Sequence, residues 1–174
     1  MTQTQVSEVD AERVRTYSWP DPAPTIASLG RRSGIEVLQA ISAGELPGPP
    51  IMATLGFEGA EFEVGRARFS MIPAEHHYNP LGSVHGGVIA TLVDSAAGCA
   101  VHSLLPAGEG YTSIDLAVKY LRVINAGTGR ITAEGTVLSR GARTALAEVK
   151  LTDDRGRLLA HATSSCLIFA LPTG

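Results

Sequence analysis

One carboxylate interrupts the most apolar stretch of this chain. From Asn79 the sequence reads Asn-Pro-Leu-Gly-Ser-Val-His-Gly-Gly, and Val88, Ile89, Ala90, Leu92 and Val93 then lead to Asp94. Ala96, Ala97, Ala100 and Val101 follow it. A carboxylate in such surroundings is costly unless it is neutralised, hydrogen-bonded or used. Gly86 and Gly87 open the run, where the first backbone N–H groups of a helix lack intrahelical partners and the helix dipole favours negative charge. A carbonyl oxygen that becomes an oxyanion during acyl transfer suits such a place, and glycine lets it come close to the backbone. Asn79 and His85 flank the turn and could position a carbonyl or a water.

The spacing carries a consequence. Asp94 lies eight residues after Gly86, which is about 12 Å along a helix axis. One carbonyl cannot touch both groups in the same chain. If both act on one ester or thioester, they come from two chains whose helices run side by side and antiparallel. A two-fold dimer builds that arrangement twice.

The elements that must hold these groups follow from periodicity. Residues 86–103 are apolar nearly all round, which predicts a helix buried on most sides. The run is short for a membrane span and carries an acid. Upstream, Trp19-Pro20-Asp21-Pro22-Ala23-Pro24 predicts an extended or mobile arm over residues 1–32, with no regular helix through the prolines. Ile35, Leu38 and Ile41 predict a short amphipathic helix over 33–43 that stops at Gly44. Alternation from Gly59 to Met71 predicts one strand bent at Gly65. Four further strands are expected: one over residues 113–120, one after Asn125–Gly129, one after Ser139–Ala142, and one after Asp153–Gly156. Three consecutive hairpins argue against a parallel sheet. The expected fold is α+β: a curved antiparallel sheet wrapped around one long helix, within a single domain over residues 33–170.

Composition narrows the function. The chain has 174 residues and a formal net charge of -3, with no basic stripe, so nucleic acid is not an expected partner. The N-terminus lacks the basic-then-apolar pattern of a secretory signal, and Cys99 and Cys166 form no C-x-x-C motif. Two free thiols and a cytoplasmic location are expected. His76, His77 and His85 have no acidic or thiol cluster at ligand spacing, so no metal is expected. Ser95 lacks the nucleophile elbow of a serine hydrolase.

These residues carry a family resemblance. His85-Gly86-Gly87, Asp94 nine positions after His85, the Tyr120-Leu121-Arg122 stretch and the turn Gly141-Ala142-Arg143-Thr144-Ala145 resemble the hotdog-fold acyl-CoA thioesterases of the phenylacetate-pathway, PaaI-like type. The resemblance covers roughly residues 34–169. It implies that the Gly86 amide polarises the thioester carbonyl, while Asp94 of the neighbouring subunit activates water or attacks directly. It further implies that Asn79 is the polar side chain beside the site and that His85 fixes the loop. Gly87 and Ser95 are placed beside the substrate. Arg140, Gly141 and Arg143 are candidate contacts for the nucleotide phosphates of coenzyme A. The resemblance also implies an acyl-CoA substrate, no cofactor or metal, no membrane, and a homodimer paired into a homotetramer. One position departs from the pattern: some relatives carry Ser or Thr one turn after the acid to hold the attacking water, and here that residue is Gly98.

Two competing readings use the same residues. A hydratase or dehydratase on this architecture would want a His and an acid paired for proton abstraction. A non-catalytic acyl-CoA-binding domain would keep the fold without turnover.

Overall fold

A computed structural model of the protein describes residues 13–171. The first helix, α1, is Ala23–Ser28, followed by α2 at Gly34–Ser42 and α3 at Pro50–Leu55. Strands β1 (Phe57–Glu63) and β2 (Arg66–Met71) precede the long helix α4 (Gly86–His102). Then come β3 (Glu109–Ser113), β4 (Ala117–Tyr120), β5 (Ile131–Arg140), β6 (Thr144–Asp153) and β7 (Leu158–Ala170).

All the strand pairs are antiparallel, in the order β1-β2-β5-β6-β7-β3, with β4 also paired to β7. The sheet curls around α4, which is the expected α+β architecture. Leu92, Val93, Ala96, Ala97, Ala100 and Val101 of α4 are fully buried. Small residues permit close packing here: a Cβ on Gly135 of β5 would fall 2.4 Å from the Ala96 carbonyl oxygen. One stripe of α4 stays uncovered by the sheet, with Gly87 exposed and Thr91, Asp94 and Ser95 half-buried. Among the described residues no helix is long and apolar enough to cross a membrane.

The structure redraws three elements. Residues 57–71 are a hairpin rather than one bent strand, because Val64-Gly65 turns the chain, with Gly65 at φ 78°. The strand expected over 113–120 begins earlier, at Glu109, and divides into β3 and β4. From Ser113 to Ala117 the chain advances four residues while its partner β7 advances three, Cys166 to Thr163. The extra residue makes a bulge. Around it, the Ile114 and Asp115 N–H groups both reach the Ser165 carbonyl, and Asp115 Oδ1 accepts from the Ser165 N–H at 3.1 Å. The third change is topological: this strand pairs with the last strand, β7, so only β5-β6-β7 form consecutive hairpins.

The N-terminal segment also differs in detail. The helix expected over 33–43 is α2, whose start is capped where the Glu36 carboxylate accepts from the Ser33 N–H at 2.8 Å and from its hydroxyl at 2.6 Å. Helix α1 overturns the expectation of an arm without helix through the prolines, and α3 has no forerunner in the periodicity. Each starts with proline in its first turn, where the missing N–H costs nothing. Thr25 of α1 donates to the Pro47 carbonyl at 2.7 Å, holding α1 against the loop after α2. Residues 1–12 of the expected arm lie outside the described residues.

Candidate active site

The loop before α4 is held from inside. Asn79 Oδ1 accepts from the Leu81 N–H at 2.9 Å and the Ser83 N–H at 3.3 Å, and its Nδ2 donates to Ser83 Oγ at 3.0 Å. His77 Nδ1 accepts from the Ala74 N–H at 3.0 Å, so Nε2 carries the proton and donates to the Leu55 carbonyl at 3.0 Å. The His77 carbonyl in turn accepts from the His85 N–H at 2.8 Å.

His85 is the N-cap of α4. Its Nδ1 accepts from the Gly87 N–H at 2.9 Å, and its carbonyl takes the Val88 and Ile89 N–H groups at 3.0 and 3.4 Å. The Gly86 N–H alone among these opening amides has no partner among the described residues. On its other side, the Tyr120 hydroxyl donates to the Gly86 carbonyl at 3.0 Å. Glycine eases that approach, since a Cβ on residue 86 would sit 3.2 Å from the Tyr120 hydroxyl oxygen and the ring would have to give by a few tenths of an ångström. Asn79, Ser83, Gly86, Tyr120 and Arg122 line a recess of about 330 Å³ over the helix end. An unpaired helix-head N–H on a residue that lines a recess is the kind of donor that oxyanion stabilisation uses.

Asp94 lies two turns further on, half-buried on the uncovered stripe. Ser113 Oγ at the end of β3 donates to Asp94 Oδ1 at 2.9 Å. Ser95 is turned back on the helix, donating to the Thr91 carbonyl at 2.8 Å, and Thr91 donates to the Gly87 carbonyl at 2.9 Å. Gly98, one turn after Asp94, is explained by Tyr111: a Cβ there would fall 2.5 Å from the Tyr111 hydroxyl oxygen. The phenol occupies the space a side chain at 98 would need. Burial pushes the Tyr111 hydroxyl well above its ordinary pKa, with smaller contributions from Cys99, Cys166 and Asp94. Burial, helped by the Asp94 charge, pushes the Cys99 thiol to about 12, so it is an inert thiol.

The remaining sequence candidates sit elsewhere. Arg140 pairs with Glu109 at 2.7 Å, and the Gly141 N–H donates to the Thr144 carbonyl at 2.8 Å. Arg143 is exposed at the same hairpin tip and has no ion pair among the described residues. Glu109 starts β3 beside the C-terminal end of α4, whereas Tyr120 touches Gly86 at its N-terminal end. Within one chain, therefore, Asn79, His85, Gly86 and Gly87 form one group, Asp94 and Ser95 a second, and the Arg140–Arg143 turn a third. Ser113 and Tyr111 were not singled out from the sequence, and Tyr120 entered only through the family resemblance, with no role. Their strand alternation marks only which face each occupies, not which helix atom it meets. Among the described residues no three His, Cys, Asp or Glu side chains gather as a metal site.

Comparison with known proteins agrees with this geometry. The thioesterase superfamily profile matches residues 81–160. A Halobacterium salinarum protein provisionally named an esterase is 40% identical over 72 residues, covering 40% of this chain and 46% of that protein. The 1,4-dihydroxy-2-naphthoyl-CoA hydrolase of Listeria monocytogenes is 28% identical over 109 residues, covering 63% of this chain and 87% of the hydrolase. The crystal structure of a phenylacetic acid degradation-related protein from Ralstonia eutropha superposes with a TM-score of 0.66 at 26% identity, covering 75% of this chain and 98% of that one. The matched segment spans the loop, α4 and the strands that carry Ser113 and Tyr120: the chain is a hotdog-fold protein that resembles the PaaI-like acyl-CoA thioesterases.

Proposed function

We propose that the protein hydrolyses an acyl-CoA thioester at a site assembled from two chains. The observation that carries the reading is the Gly86 N–H, unpartnered at the head of α4 and about 12 Å along the helix from the Asp94 carboxylate. The family match and the acyl-CoA hydrolase relative support thioesterase activity.

In this mechanism Gly86 of one chain donates to the thioester carbonyl oxygen, and the negative charge that grows there is stabilised. Asp94 of the other chain supplies the oxygen attack, by taking a proton from water or by adding to the carbonyl itself. The C–O bond forms, the C–S bond breaks, and the thiolate of coenzyme A leaves and is protonated; where Asp94 itself adds, water then cleaves the acyl–Asp94 anhydride, releasing the acid and regenerating the carboxylate. Ser113 keeps one Asp94 oxygen engaged and so aims the other. His85 and Asn79 hold the loop that presents Gly86. In the two-chain arrangement, the free Arg143 tip comes to the partner's helix head and is the proposed phosphate contact.

Three features support the dimer. The uncovered stripe of α4 is small and polar, which lets a second helix come near. Strands β3 and β4 have one unpaired edge. Ile114, Tyr120 and Leu121 on or beside that edge are 57%, 53% and 53% exposed, large apolar surface for a single chain to leave in water. Two such dimers would pair into the homotetramer that the family resemblance implies. The free thiols of Cys99 and Cys166 fit a reducing, cytoplasmic setting.

The test is thiol release from a panel of acyl-CoAs, with two variants that should each be inactive alone. Asp94→Asn removes the base. Gly86→Pro removes the N–H at the first helical position, where the ring is tolerated, and His85 before it is already extended at ψ 135°. Each folded variant should lose activity, and mixed chains should recover about a quarter of wild-type activity, because half the dimers are mixed and each rebuilds one site. Mixed dimers that form without recovering activity would overturn the shared site.

A further inference from the structure

We propose that the cavity between the three N-terminal helices and the C-terminal half of α4 receives the acyl group, and that Tyr111, seated on Gly98, forms its throat. The proposal rests on the thioesterase reading and adds the substrate class: an uncharged, apolar acyl group of medium size.

The cavity measures about 370 Å³ and is walled by α1, α2 and α3 on one side and by β1, β2, β3 and α4 on the other. Leu29, Leu38, Met52, Phe62 and Phe69 give it an apolar surface. An apolar cavity of about 150 Å³ holds a benzene, so at the same packing this one holds about fifteen carbons. No Asp, Glu, Lys or Arg lines it. Its titratable groups are uncharged at pH 7: burial pushes the His102 ring below the ordinary histidine pKa and pushes the Tyr111 hydroxyl and the Cys99 thiol up. A carboxylate at the far end of an acyl chain would find no counter-charge there and would be rejected.

Position links this cavity to the reacting carbonyl. Cys99 and His102 line it from α4, five and eight residues beyond Asp94, or about 7 and 12 Å further along the axis. An acyl chain whose carbonyl lies at Asp94 and which follows α4 toward its C-terminus arrives there. Tyr111 belongs to both places, since its ring lines the cavity while its hydroxyl rests against Gly98. Gly98 is thus the position that admits the throat residue. The helices that close the far wall, α1 to α3, lie ahead of the profile-matched residues 81–160, so the pocket's depth is set by the N-terminal region.

The experiment measures kcat/KM for acetyl-, hexanoyl-, decanoyl- and succinyl-CoA, and separately the affinity of S-decyl-CoA against S-methyl-CoA, thioethers that cannot be hydrolysed. Two variants fill the cavity: Met52→Trp from α3, and Leu29→Trp from the half-exposed rim of α1, where folding is least at risk. The wild type should prefer decanoyl- over acetyl-CoA and discriminate against succinyl-CoA. Both variants that fold should lower the decanoyl-to-acetyl ratio and the S-decyl-CoA affinity at least tenfold. Hydrolysis with a chain-length profile indifferent to both variants would sink the pocket and leave the thioesterase reading intact. Tight S-decyl-CoA binding, weakened by the variants, in a protein that hydrolyses no thioester would support the pocket and overturn the thioesterase reading.

Discussion

Ser113 and Asp94 meet across 2.9 Å, strand hydroxyl to helix carboxylate, so the carboxylate is aimed by the sheet edge and not by a neighbour on its own helix. The bulge that divides β3 from β4 lies immediately after Ser113. The sheet irregularity and the aim of Asp94 are therefore one local feature.

Ser113→Ala should lower kcat while KM changes little, because the bond orients a reacting group and does not bind substrate. A hydrogen bond to a charged group contributes about 1.5–3 kcal/mol, which sets the expected loss at about ten- to a hundredfold. Steady-state kinetics on the best substrate check it, and Ser113→Thr should restore most of kcat. A Ser113→Ala enzyme with unchanged kcat would mean that Asp94 needs no such orientation.

The long helix, its start at Gly86 and the curved antiparallel sheet were legible in the sequence because each has a strong periodic signal. So was the separation of Gly86 from Asp94, which follows from helix rise alone. Pairing was not legible. Alternation says that residues 113–120 are strand-like, but not which strand they pair with, and only the packed molecule selects β7. The roles of Tyr111 and Tyr120 were invisible for a related reason. Strand alternation places Tyr120 on one face without naming its partner; it is 53% exposed and bonds the Gly86 carbonyl. Gly98 looked like a missing hydroxyl, whereas it is the room that Tyr111 needs.

The Gly86–Tyr120 contact gives a second outcome. Gly86→Ala puts a Cβ 3.2 Å from the Tyr120 hydroxyl oxygen and 3.3 Å from its Cζ, so the helix head or the ring must shift. Losing one oxyanion donor typically costs about 10²–10³ in kcat; a displaced donor should cost at least about tenfold. Tyr120→Phe removes the nearer atom together with the bond to the Gly86 carbonyl. The double variant should therefore lose less than the product of the two single losses, and a kinetic double-mutant cycle reads that coupling directly. Strict additivity would show that Tyr120 does not constrain the Gly86 peptide.

Two buried histidines make stability fall on the acid side. Burial is the largest cause lowering both His77 and His102, with the His76 charge adding at His77, so the folded pKa of each lies below the unfolded value. The unfolded chain then binds more protons, and their stabilising contribution is full above the unfolded value of about pH 6.5 and is lost as pH falls from there through the lower folded pKa values. His77 has a structural reason to resist: protonation would place a proton on Nδ1, the atom that accepts the Ala74 N–H, and break the tie beneath the Gly86 loop. Urea midpoints measured from pH 8 to pH 5 should decline below about pH 6.5. The slope should be shallower in His77→Asn, whose side-chain oxygen can accept the Ala74 N–H without titrating. Equal slopes in the two proteins would assign the acid sensitivity elsewhere.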